Sequence, residues 1–122
     1  MGLDQYAYVK TPESGDEGES AKFVWRKHSK LQTFMEKLFE QRTGLLPNNL
    51  NCGELQLKPC DIDALEKAVE GQKLPRCEGG FFYGHQMQDE QAAEYRDYDL
   101  EFCAWARAEL ERGSTVIYSC WW

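Results

Sequence analysis

The sequence predicts a single α+β domain in two layers, with a small sheet of about four short strands packed by three helices. Three observations predict it. The chain has 122 residues, enough for one domain and its core, so residues 1–122 are read as one unit. Apolar residues recur at helical spacing in three stretches and cluster or alternate at strand spacing in four. Gly, Pro and acidic residues separate these stretches, giving the order strand, helix, strand, helix, strand, helix, strand.

Leu3 to Val9 alternates around Tyr6 and Tyr8 and reads as the first strand. Thr11 to Ser20 holds Pro12, Gly15, Gly18 and four acids with no apolar side chain, the composition of a mobile loop. Leu31, Phe34, Met35, Leu38 and Phe39 then form one helical face. That helix is placed from about Trp25 to Arg42, with Gly44 as its stop. Leu45 to Asn51 is a connector containing Pro47, and Glu54–Leu57 alternates like a short strand with one wet face.

Asp61 can cap a second helix that carries Ile62, Leu65 and Val69 and closes at Gly71. Lys73 to Gly80 is a loop, and Phe81-Phe82-Tyr83 is a glycine-bounded buried strand. Asp89 to Arg112 is the longest helix, with Tyr95, Tyr98, Phe102, Trp105 and Ala106 on its core face and Gly113 at its end. Thr115 to Trp121 is the last strand. Terminal strands lying side by side would tie down both ends of the chain.

Composition narrows the function classes. A net charge of −7 opposes general nucleic-acid binding, which needs a basic face, so direct nucleic-acid binding is not expected. No apolar run reaches membrane-span length, and no basic segment followed by an apolar one opens the chain. A cytoplasmic setting is therefore expected, with the five cysteines reduced: no CxxC pair and no zinc spacing occurs. No metal or cofactor is expected. No GxxxxGK[ST], GxGxxG or GxSxG motif is present, and no nucleophile is paired with a base, so no residue is assigned a catalytic role.

The candidate ligand-binding residues come from three places. Trp25-Arg26-Lys27-His28, followed by Lys30, is a basic knot in an acidic chain. At a helix start, Arg26 would offer a fork and Lys27 a point charge to phosphate, and Trp25 a ring to stack on a base. Charge runs are usually solvated faces, and a pairing with the acidic segment before it is the plainer account. Gly79-Gly80-Phe81-Phe82-Tyr83-Gly84-His85 presents Tyr83 and His85 beside glycines that permit close approach, or is simply a core strand. Trp121 and Trp122 end the chain, and strand alternation points them to opposite faces.

Met1-Gly2-Leu3-Asp4, Trp25-Arg26-Lys27, Cys52-Gly53-Glu54, Gly80-Phe81-Phe82-Tyr83-Gly84 and Ser119-Cys120-Trp121, in this order, resemble a family of short uncharacterised bacteriophage and prophage proteins. Some members of that family are labelled phosphoglycerate kinase. A kinase of that type needs large lobes and a nucleotide-binding loop that this chain lacks. The resemblance implies a phage setting inside a host cell. There the expected function is binding without turnover: sequestration of a small anionic, nucleotide-derived ligand such as a host immune signal. The alternative is a protein-binding inhibitor of a host enzyme, using aromatic anchors or the negative surface as a nucleic-acid mimic. A small hydrolase ranks below both. Exposed sheet edges and Trp122 leave a homodimer open.

Overall fold

The structure is a computed structural model and describes residues 3–10, 22–51, 53–75 and 88–121. Strand β1 is Asp4–Lys10, β2 Phe23–Arg26, β3 Glu54–Leu57 and β4 Thr115–Trp121. Helix α1 is Ser29–Thr43, α2 Pro59–Glu70 and α3 Gln88–Glu111, with a short 3-10 turn at Pro47–Leu50. The sheet is antiparallel in the order β2-β1-β4-β3. The two terminal strands thus pair at its centre, from Asp4 opposite Trp121 to Lys10 opposite Thr115.

Alternation decides which sheet face is dry. Leu3, Gln5 and Ala7, Phe23 and Trp25, Leu55 and Leu57, and Val116, Tyr118 and Cys120 are buried. Against them pack Leu31, Met35 and Phe39 of α1, Ile62, Leu65 and Val69 of α2, and Phe102, Cys103 and Ala106 of α3. Among the described residues the helices lie on one face only, the two-layer α+β arrangement the periodicities predict.

The region before the first helix differs from expectation. Phe23–Arg26 is a strand, and α1 begins only at Ser29. Phe23 and Trp25 alternate inward, opposite Ala7 and Gln5 of β1, while Val24 and Arg26 point outward. Lys27 takes a left-handed φ of 57°, which turns the chain from strand to helix. The four-strand count is met with β2 as a member, whereas the strand expected at Phe81–Tyr83 lies outside the described residues.

Helix ends follow capping physics with two shifts. Gly44 and Gly113 take positive φ where the stops of α1 and α3 were expected. After α2 the left-handed residue is Gln72, at φ 55°, one position beyond Gly71. Gln72 N–H bonds Val69 C=O and Lys73 N–H bonds Ala68 C=O, a Schellman closure with glutamine where glycine fits best. At the other end Pro59 opens α2, and Asp61 sits three residues past the cap position, accepting the Lys58 N–H at 2.8 Å. The Arg42 guanidinium ties that same carboxylate, at 2.6 Å, to the end of α1.

Candidate functional site

Two groups of polar side chains stand out, one inside the core and one on the open sheet face. The inner group is built on the turn from β2 to α1. The Gln5 side chain clamps the His28 backbone, accepting its N–H at 2.9 Å and donating to its C=O at 3.1 Å. The clamp holds the start of α1 in place of a side-chain cap, which His28 does not supply.

His28 and Asp99 are both fully buried, with Nε2 2.7 Å from Oδ2. The other oxygen of Asp99 accepts the Trp25 indole N–H at 2.7 Å. Tyr95 stacks on the His28 ring at 5.0 Å. Trp25 is enclosed by Phe23, Tyr98 and Phe102. Gln5 also donates to the Tyr118 hydroxyl, which donates in turn to Gln32. His28 Nδ1 has no partner among the described residues.

This group organises the core. Trp25 has no exposed ring face, so stacking on a base, the role expected of it, has no surface to use. His28 is equally enclosed. The Cys103 thiol beside Asp99 is not poised as a nucleophile: burial, then Glu66 and Asp99, push it up to about 12, which keeps it protonated. Among the described residues, no group of three or more His, Cys, Asp or Glu side chains is arranged to hold a metal ion.

The outer group lies on the sheet face that the helices leave open. Asp4 is the register partner of both Arg26 and Trp121, so β2, β1 and β4 put these three side chains in one cross-strand row. Trp121 is 59% exposed. The Arg26 side chain is 79% exposed and touches Asp4 at 3.3 Å. Val24, Tyr6, Ser119 and Glu54 form the next row. Tyr8 hydrogen-bonds Glu54 across β4; burial and that carboxylate raise its phenol above the ordinary range. Ser119 Oγ donates to the Gly53 carbonyl at 2.7 Å, and a side chain at Gly53 would meet the Asn49 carbonyl at 3.0 Å.

Of the residues picked from sequence, the structure brings Arg26 and Trp121 onto one surface. Lys27 is exposed at the adjacent turn, Trp25 and His28 turn inward, and Tyr83, His85 and Trp122 lie outside the described residues. Sequence reasoning missed Asp99, Gln5 and Tyr6. Asp99 was legible in one respect: it shares a helical stripe with Tyr95, Phe102 and Ala106, so it is an acid on an apolar face.

Fold and site together define a small antiparallel α+β domain with helices on one sheet face and an aromatic, arginine-bearing patch on the other. Compared with known proteins, the chain matches no family model, no curated protein and no solved structure. Among the described residues, no helix is long and apolar enough to cross a membrane.

Proposed function

We propose that this chain binds a small anionic, nucleotide-derived ligand on its open sheet face and does not turn it over. The observation that carries the reading is the Arg26–Asp4–Trp121 row. An indole and a guanidinium two strands apart stand roughly 10 Å from each other at their backbones. Side chains of that length converge on one small molecule, with Trp121 stacking on a base and Arg26 forking a phosphate. The exposed Arg26–Asp4 pair is worth at most about 1 kcal/mol, so it yields to a better anion. Tyr6, beside Asp4 on the same face, extends the stacking surface. In the phage setting implied by the sequence resemblance, such binding would sequester a host signal.

A second reading is favoured by Leu45 and Leu46, 50% and 67% exposed just beyond α1. An apolar pair of this kind suits a protein partner, and the reading is inhibition of a host enzyme.

The two readings separate in one experiment. Thermal unfolding and Trp fluorescence are followed against a panel of mono-, di- and cyclic nucleotides. The ligand reading expects one of them to raise Tm, by about 2.7 kcal/mol of added stability at a hundred times Kd. Trp121→Ala and Arg26→Ala should each weaken that binding at least tenfold while the circular dichroism spectrum is kept. A panel that shifts neither Tm nor fluorescence overturns the reading, as does multiple turnover of any nucleotide. A stoichiometric protein partner lost on Leu46→Asp and indifferent to nucleotide supports the second reading instead.

A further inference from the structure

A second site lies on the opposite side of the molecule, among the helices, and is independent of the sheet-face reading. The end of α2 and the first turns of α3, with Lys30 of α1, line a partly open cavity of about 330 Å³. Its wall is aliphatic: Val69, Leu74, Ala92 and Ala93. Among the described residues, two cations, Arg96 and Lys30, and one acid, Asp89, supply its charge.

Among the described lining residues, cations exceed acids by one. Lys30 Nζ is held by Asp89 at 2.8 Å. The Arg96 guanidinium reaches the Glu70 carbonyl through one terminal nitrogen, at 3.4 Å. Its other terminal nitrogen is 4.0 Å from Asp97, whose side chain is 95% exposed and so screened by water. Arg96 Nε–H is buried with no partner among the described residues. A buried donor without an acceptor is costly and marks a place where an acceptor belongs. At the rim, Gln72 lines the cavity from the left-handed conformation noted above, a strained position for a residue other than glycine.

We infer that this cavity is a binding site for a small monocarboxylate with a short aliphatic body. The carboxylate accepts from Arg96 Nε and shares the Lys30 ammonium with Asp89, and the hydrocarbon lies on Val69, Leu74 and the two alanines. Among the described lining residues, one net positive charge beside an aliphatic wall matches one negative charge. A phosphate dianion would leave one of its two charges unmatched by the described lining residues. The volume suits a ligand of this size, since small-molecule sites run upward from roughly 300 Å³.

The test uses sodium hexanoate as probe, with inorganic phosphate and hexylamine as controls, followed by amide NMR on the whole chain. Hexanoate should shift the Gln72, Ala92 and Ala93 resonances saturably, and the two controls should not. Arg96→Gln should weaken the response at least tenfold. Ala92→Leu fills the cavity without touching the guanidinium and should abolish it, which covers the case that Arg96→Gln perturbs the fold. Arg26→Ala should leave hexanoate binding unchanged, keeping this site distinct from the sheet face. Absence of hexanoate shifts at those residues overturns the inference. So does phosphate binding as well as hexanoate, or an Ala92→Leu variant that binds like the parent chain.

Discussion

Asp99 is where two buried donors meet one carboxylate, and it holds β2, α1 and α3 in register. It accepts from the Trp25 indole through Oδ1 and pairs with His28 through Oδ2. Removing the acid strands both donors in a dry core, and each stranded donor costs about 1–3 kcal/mol. Asp99→Ala is therefore expected to lose about 2–6 kcal/mol, the cost of two stranded donors. Against the roughly 5–15 kcal/mol of a whole domain that is a large share. Asp99→Asn keeps the oxygen for Trp25 but turns an amide N–H₂ towards His28 Nε2. The ring proton must then move to Nδ1, which has no acceptor among the described residues. The expected order of stability is parent, then Asp99→Asn, then Asp99→Ala, with the asparagine variant losing about 1–2 kcal/mol. Urea unfolding at neutral pH checks it. Equal losses in the two variants would show that the carboxylate does not hold both partners.

Strand β2 is four residues long and lies at the sheet edge, where unpaired backbone groups invite wrong pairing. Helix α3 covers that edge with hydroxyls. Tyr98 OH accepts the Val24 N–H at 2.9 Å, and Tyr95 OH accepts the Arg26 N–H at 3.0 Å. The double variant Tyr95→Phe, Tyr98→Phe removes the acceptors and keeps the rings, and should cost about 1 kcal/mol per lost bond. Amide exchange should quicken at Val24 and Arg26 but hold at Phe23 and Trp25, whose N–H groups face β1. Unchanged exchange at Val24 and Arg26 would mean that the edge is covered by packing alone. The same residues explain why β2 was hidden in the sequence. Two inward and two outward side chains over four residues fit a first helical turn as well as a strand. The hydroxyls that decide between them lie about 70 residues further on. Helix α3 and strand β4 were legible because their patterns run long enough to exclude the other period. Asp99 is buried by contacts from β2 and α1, which the pattern of α3 alone does not encode.

At the scale of the whole molecule, the central pairing of β1 with β4 joins residues roughly a hundred positions apart. That pairing sets Trp121 beside Asp4, and with β2 on the other side it assembles the open-face row from three separated segments. Sequence could name Arg26 and Trp121 as candidate binding residues. Only the strand register, which composition does not encode, shows that they share a row while Trp25 and His28 face inward. The same long-range pairing should govern folding speed, because loop-closure entropy must be met before β1 and β4 can reward it. A circular permutant tests this directly. Asp4 and Trp121 are register partners, with Cα atoms about 5 Å apart, so a linker of about four Gly and Ser residues can join the two ends. New ends between Leu45 and Leu46, both exposed, cut no strand or helix. In this permutant β1 and β4 form a hairpin, and stopped-flow refolding should be about tenfold faster than in the parent chain, with little change in unfolding rate. If refolding is unchanged while the permutant keeps the parent's stability, β1–β4 closure is not the slow step. The helical layer, chiefly α2 on α3, would then hold the nucleus.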